Sequence, residues 1–319
     1  MKTHYLSKSK ILSGLQCSKR LYLEVHHPEL IEEDTGLERR FNIGNLVGEI
    51  AQKLIPGGKL IEYDSGLSQA IKKTRQILES SPLTPIFEAT FSHGGVLVRS
   101  DIFHRGDKGY RLVEVKSSTS VKDYHITDCA VQAWVIESLG YPLERVELAH
   151  IDNTFVYQGD GNYQGLFYHE DLTDGILPIK GQIPGWITSL QSMLAGDLPE
   201  IGLGAQCHDP FDCPFLSHCS PEPAEYPVTI LPYGRSVIDD LLSEGVEDVR
   251  DIPIGRLTNL RHEKVRRVTI SGIPESDTEI RTYLKSIPYP RYYLDFETLG
   301  TPIPIWTGTR PYQAYLPFQ

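Results

Sequence analysis

An α/β fold with a mixed sheet flanked by helices is predicted by three features of the sequence. Apolar periodicity alternates between helical and strand spacing in the order helices, three strands, helix, strand, helix. Two apolar runs of strand length, Gly95–Phe103 and Tyr110–Lys116, flank Arg105-Gly-Asp-Lys-Gly109, a turn by composition, so they read as a hairpin. The stretch from His125 to Leu139 has helical length and stops at Gly140-Tyr-Pro.

Each element follows from its own pattern. Residues 1 to about 30 read as two short helical pieces with Cys17 at the joint. Leu37, Phe41, Leu46, Val47, Ile50, Ala51 and Leu54 follow helical spacing, and Pro56-Gly57-Gly58 ends that helix. A helix from about Ser68 to Glu79 precedes the strand Pro85–Phe91, and the hairpin and the His125–Leu139 helix follow. Next come a strand, Arg145–Asp152, a polar glycine-rich loop near Gln158, and a helix over Ile187–Leu194 that leads into a cysteine-rich segment. Ser220-Pro-Glu-Pro-Ala-Glu-Tyr-Pro227 is a linker by composition. Beyond it, Val237–Leu242 and Val249–Leu257 predict a small helical module, and Pro290–Thr298 a last strand. The expected domains are residues 1–222, a linker and helical module over 223–288, and a C-terminal fragment over 289–319.

The chain has 319 residues, enough for two domains, and is 40% hydrophobic and 23% charged, as ordinary globular proteins are. Its net charge of −11 argues against a nucleic-acid coat protein, though local basic surface can coexist with an acidic whole. Lys8-Ser-Lys10, Lys19-Arg20, Lys72-Lys73 and Arg261–Arg267 are candidate basic segments or solvated helix faces. No apolar run approaches the roughly 18 residues of a membrane span. The first twenty residues carry five lysines and arginines and lack an apolar core. No secretory signal is read there, and the cytoplasm is the expected location.

Chemistry concentrates on the hairpin. Antiparallel pairing brings Asp101 beside Glu114 at one sheet edge, and Glu114 and Lys116, two apart, share a face of their strand. Two carboxylates and a lysine are what metal-assisted phosphodiester cleavage needs: oxygen ligands for Mg²⁺ or Mn²⁺, and a cation to position the attacking water. The same spacing suits a solvated hairpin with an ordinary Glu/Lys pair. Glu88 offers a further metal-binding carboxylate, or a polar face of an edge strand. Gln132 is a polar residue inside an apolar helix and needs partners there. Near the C-terminus, Asp295 and Glu297 are two apart on the last strand and could share a metal.

Five cysteines add a second line: Cys17, Cys129, Cys207, Cys213 and Cys219. Three of them lie in Cys207-His-Asp-Pro-Phe-Asp-Cys213-Pro-Phe-Leu-Ser-His-Cys219. In a reducing compartment clustered cysteines point to metal rather than disulfides. Zinc sites usually show a tight Cys-x-x-Cys, which is absent here, and four thiolates also suit an iron–sulfur cluster. Cys129, in the apolar helix, reads as a small core residue.

Asp101, Glu114-Val-Lys116 and Gln132 together resemble the motifs of PD-(D/E)xK nucleases, in particular the RecB-like branch, which places a Gln on the helix after the catalytic strands. Cys17-Ser-Lys-Arg-Leu-Tyr resembles the Cys-Pro-Arg-Arg-x-Tyr of the iron–sulfur members, the CRISPR-associated RecB-like and AddB-type nucleases. Those also carry a C-terminal Cys triplet. The resemblance implies a restriction-endonuclease-like core that cleaves DNA, single-stranded or at duplex ends. It makes Asp101 and Glu114 metal ligands, Lys116 the catalytic lysine and Gln132 a supporting residue. Cys17, Cys207, Cys213 and Cys219 become ligands of a [4Fe–4S] cluster, with zinc the alternative. Three departures stand out. Gln132 is followed four residues later by Ile136 rather than Tyr, the first gap of the triplet is five residues, and Gly44-Asn-Leu-Val-Gly48 lacks the family's His. A non-catalytic nucleic-acid-binding or scaffolding protein is the competing expectation.

Asp295-Phe-Glu297-Thr298 resembles the first motif of DnaQ-like, RNase H-fold exonucleases. The 22 residues after Glu297 cannot build the rest of that fold, so only the start of such a domain is expected. This tail is then expected to be disordered, packed on the helical module, or a contact with a protein partner or second copy through Tyr292-Tyr293-Leu294.

Overall fold

The computed structural model describes residues 5–32, 36–63, 66–220, 224–276, 278–295 and 298–313. In chain order the elements begin with β1 (Leu6–Ser7), α1 (Lys8–Gln16), α2 (Ser18–His26), α3 (Leu37–Lys53), β2 (Lys59–Leu60) and α4 (Leu67–Ser80). The central run is β3 (Ile86–His93), β4 (Val96–Arg105), β5 (Tyr110–Lys116), α5 (Asp123–Ser138), β6 (Leu143–Ile151) and β7 (Phe167–Asp171). Then come α6 (Leu177–Lys180), α7 (Ile183–Leu194), α8 (Leu216–Cys219), α9 (Arg235–Ser243), α10 (Leu260–Ser271) and α11 (Thr278–Ser286). Two compact units result: residues up to 216 with 298–313, and residues 217–295.

The first unit is α/β, with a seven-stranded mixed sheet in the order β2-β3-β4-β5-β6-β7 and β1 added beside β4. β3, β4 and β5 form an antiparallel meander. The α5 crossover makes β6 parallel to β5, and β7 returns antiparallel. Cys129, Ala130, Val131, Ala133, Val135 and Ile136 of α5 are fully buried. They join Phe103, Leu112, Val146 and Leu148 in the main core on one face of the sheet. Each fully buried Val, Leu, Ile or Phe among them stabilises by about 1.5–3 kcal/mol. On the other face, Ala51 of α3 packs with Phe87, Ile102, Val113 and Ala149.

The opening helix pair is set by local chemistry. The Ser7 hydroxyl accepts from Lys10 N (3.2 Å) and caps α1. Cys17, in extended backbone, ends α1 and begins α2.

The C-terminal segment departs from expectation. Residues 298–313 pack on the first unit, not on the helical module. Ile303 is buried against Val47, Ile50, Ile151 and Leu166. Gly308 N donates to Tyr157 O (2.8 Å), Tyr157 N to Thr309 O (3.0 Å), and the Tyr312 hydroxyl to Ser117 O. Pro302 and Pro304 have no N–H for a ladder, so the segment docks by side chains and a few hydrogen bonds. Tyr292, Tyr293 and Leu294 are exposed in irregular backbone, not a strand, and Glu297 lies outside the described residues.

In the second unit a small core of Val228, Leu231, Leu241, Val249, Ile252 and Leu257 is tied by Asp248. Its carboxylate accepts from Arg250 N (2.8 Å) and Tyr226 N (3.2 Å). The helix expected over Val249–Leu257 is a single turn, Val249–Asp251, because Pro253 and Gly255 (φ +80°) stop it. α10 instead starts from Asn259, whose side chain accepts from Arg261 N (2.9 Å), and ends at Gly272 (φ +64°).

Candidate active site

The site forms at a fork between β4 and β5. The two strands pair from Arg105↔Tyr110 to Ile102↔Val113 and then part, and β1 takes the vacated place beside Val96 and Leu97. Asp101 and Glu114 are the next opposed positions, at the mouth of the fork. Asp101 Oδ2 accepts from Val115 N (2.6 Å), so a carboxylate replaces the ladder bond that β4 no longer supplies.

The neighbouring strand bends at the same place. Phe87↔Ile102 and Ala89↔Ser100 put Glu88 opposite Asp101. Ile86 and Phe103 face the main core, and so do Ala89, Phe91, Val96 and Val98 beyond the pair. The inward-facing phase therefore shifts by one residue on both strands at Glu88 and Asp101. Glu88 carries this shift in left-handed backbone (φ +56°), a conformation that costs a non-glycine residue about 1–3 kcal/mol. Irregularities of this kind re-aim side chains beside sites. Glu88 turns to Arg99 (3.2 Å).

Helix α5 supplies the floor. Asp128 and Gln132 are one turn apart and face β5. Gln132 Nε2 donates to Glu114 Oε2 (2.7 Å) and Asp128 Oδ1 (3.1 Å). Carboxylates only accept, so the amide group must present its NH₂ to them, and its Oε1 is left buried without a partner. Two lysines close the top. Lys116 Nζ donates to Glu114 Oε1 (2.6 Å) and Asp128 Oδ2 (2.9 Å). Lys8 Nζ donates to the same Glu114 Oε1 (2.6 Å) and lies 3.5 Å from Asp128 Oδ1. Glu114 is 1% exposed, whereas the Lys8 and Lys116 side chains keep 23% and 27%, so the lysines lie between Glu114 and solvent.

The charges follow from this packing. Burial opposes ionisation of Glu114, yet Lys116 and Lys8 hold it well below the usual carboxylate range. Burial opposes the Lys116 charge too, but Glu114, Asp128 and Asp101 keep it well above the ordinary lysine value. Asp101 has only a backbone donor, and burial together with Glu114 pushes it up to about 7. His125, capping α5 through Lys122 N (3.1 Å), is pushed down to about 4 by burial and Lys116, so it is neutral near pH 7.

Asp101, Glu114, Lys116 and Gln132 thus stand together, with Gln132 fully buried on the floor. Among the described residues, no three His, Cys, Asp or Glu side chains are placed to hold one ion jointly, so Glu88 is not a third ligand in this arrangement. The donor set still suits a hard divalent cation. It has one buried carboxylate, Glu114, and one half-buried, Asp101, which faces no close ammonium partner and is driven toward protonation by desolvation and by Glu114. Lys8 and Asp128 escaped sequence reasoning. Asp128 left a signal, an acid four residues before Gln132 in an apolar helix. Lys8 left none beyond a basic segment.

The cysteine segment docks on the N-terminal helix pair. Gln16 Nε2 donates to Gln206 O (2.7 Å) and Phe211 O (2.6 Å), and Cys213 N donates to Cys207 O (2.8 Å). Burial pushes the Cys213 thiol up, and neighbouring Cys17 and Cys207 push it the same way. Three soft donors therefore share one neighbourhood, though as they stand they do not close a metal cage. Cys219 belongs to the second unit, and Cys129 is fully buried in α5.

A family model described as a domain of unknown function (DUF2779) matches residues 292–319. No curated protein matches the chain. Among solved structures, SSO0001 is similar at 14% identity and a TM-score of 0.33, over 69% of this chain and 86% of its own. LHK-Exo, solved in complex with dAMP, is similar at 11% identity and a TM-score of 0.30, over 60% of this chain and 90% of its own. Likenesses this distant assign no activity. Among the described residues, no helix is long and apolar enough to cross a membrane.

Proposed function

We propose that the chain is a divalent-metal-dependent nuclease of the PD-(D/E)xK, RecB-like type that hydrolyses phosphodiester bonds of DNA, single-stranded or at duplex ends. The observation that carries this reading is the fork itself. Glu114 is buried, Asp101 is half-buried at the next opposed position, Lys116 is bonded to Glu114, and the strands are re-aimed at this point. Asp101 and Glu114 would hold Mg²⁺ or Mn²⁺. When bound, the ion supplies charge for the phosphate oxygens and acidity for an attacking water.

The chain's own residues do the rest. An ammonium group has three donors, and Lys116 commits two, to Glu114 and Asp128, which fixes its position. Its third N–H is left to orient the nucleophile or to stabilise charge on the phosphate. Gln132 holds Glu114 in place through Oε2, and its unpartnered Oε1 is an acceptor for a water hydrogen. The test is cleavage of labelled single-stranded and duplex DNA with Mn²⁺ or EDTA. Wild type should cut only with metal, and Glu114→Gln should lose about 10³-fold in rate, on the scale of removing a group that stabilises transition-state charge. Equal rates would refute the assignment.

A soft-metal centre on Cys17, Cys207 and Cys213, with Cys219 the fourth ligand by the sequence pattern, is proposed as a structural staple of the N-terminal helices. By resemblance it is [4Fe–4S]. Anaerobically purified protein should then be brown and absorb broadly at roughly 400 nm, whereas a zinc centre would be colourless.

A further inference from the structure

We propose that Lys8 is a built-in competitor for the divalent ion at Glu114, and that its displacement frees a second ammonium group for the phosphodiester. This rests on the nuclease reading above.

The placement of Lys8 is a consequence of the fork. β1 occupies the space beside Val96 and Leu97 that β5 leaves, and Lys8 follows β1 directly as the first residue of α1. Its ammonium thereby reaches a carboxylate 106 residues away in sequence. Glu114 Oε1 receives both Lys8 and Lys116 at 2.6 Å, while Oε2 receives Gln132 at 2.7 Å. A carboxylate has about four acceptor positions, so little of Glu114 remains for a metal ion while both lysines hold it. Three are taken and the one left is on Oε2, so an ion that binds through Oε1 must displace a lysine.

Lys8 is the donor that yields. Lys116 is anchored by close bonds to two carboxylates and sits in the β5–β6 ladder. Lys8 has one close bond, with Asp128 Oδ1 further off at 3.5 Å. Gln132 is fully buried and also bonded to Asp128.

The charge count points the same way. With Asp101 ionised, as it must be to ligate the ion, Asp101, Glu114 and Asp128 oppose Lys8 and Lys116 and leave one excess negative charge, with Glu88 matched by Arg99. One divalent ion converts this to one excess positive charge, which a single phosphodiester anion neutralises. Both lysines are needed for that balance. Without Lys8 the ion alone neutralises the site, and the phosphodiester arrives uncompensated.

The test uses the full chain and Mn²⁺ binding by titration calorimetry, with a circular dichroism check on each variant. Lys8→Met should bind Mn²⁺ roughly 5- to 150-fold tighter than wild type, the range of ordinary coupling between two ligands. Lys8→Arg should restore the wild-type affinity. With Ca²⁺ replacing Mn²⁺, Lys8→Met should bind a labelled single-stranded oligonucleotide more weakly. Lys8→Gln serves if the Met variant unfolds. A merely structural Lys8 would weaken metal binding on removal, not tighten it. Unchanged or weaker Mn²⁺ affinity in Lys8→Met, with binding lost in Asp101→Asn, overturns this proposal alone. If Asp101→Asn binds Mn²⁺ as wild type does, the nuclease reading fails and this inference with it.

Discussion

Two acidic pairs in this molecule invite comparison. Asp295 and Glu297 are two residues apart and read in sequence as a ready metal pair. Asp101 and Glu114 are separated by a hairpin and read no better. In three dimensions they differ sharply. Glu114 is buried, held by two ammonium groups and an amide, and Asp101 is held by a backbone N–H at the mouth of a parted sheet. Asp295 lies in exposed, irregular backbone. Spacing alone therefore does not make a site. What distinguishes the first pair is a cost borne by the fold, since burying charges and bending two strands is unfavourable unless other groups compensate.

That comparison can be sharpened by removing the compensation. Gln132→Leu keeps the volume but leaves Glu114 Oε2 and Asp128 Oδ1 without their buried donor. Urea unfolding should show a loss of about 1–3 kcal/mol or more, the cost of unsatisfied buried groups. Asp295→Asn should change stability by no more than about 0.5 kcal/mol, as surface changes do. Similar losses in both would mean that the α5 network is not what holds Glu114.

A smaller effect is expected at a third kind of carboxylate, half-buried and held by the backbone. Glu144 accepts from Lys108 N (2.6 Å), Gly109 N (3.0 Å) and Arg111 Nε (2.7 Å), pinning the β4–β5 turn. Arg111 and these amides bring it down to about 2 from its ordinary 4.5. A depressed carboxyl stabilises the fold above its unfolded value, and that contribution is lost as pH falls through the folded one. Wild type should therefore lose stability more steeply than Glu144→Gln between pH 4.5 and about 2. Parallel thermal melts across that window are the check, and superimposable slopes would refute it.

The central strands and helices were legible because their periodicity is clean and their turns are marked by glycine and proline. Val96–Arg105 and Tyr110–Lys116 were visible as a hairpin, and its register already put Asp101 opposite Glu114. What was not legible depends on contacts distant in sequence. The two-residue strands Leu6–Ser7 and Lys59–Leu60 have no period to detect, yet the first of them delivers Lys8. The reversal at Glu88 shows only once the facing strand is in place. Leu260–Ser271 reads in sequence only as a basic segment or solvated helix face, although Asn259 and Gly272 mark its ends, because its highly charged sequence lacks a clear apolar stripe.

The most direct test places the two acidic pairs in one assay. Mn²⁺-supported DNA cleavage would be measured for the wild-type chain, for Asp101→Asn, and for Asp295→Asn combined with Glu297→Gln. The account predicts loss of cleavage in Asp101→Asn and wild-type rates in the C-terminal double variant. Loss in the double variant with full activity in Asp101→Asn would place the chemistry in the tail and contradict it.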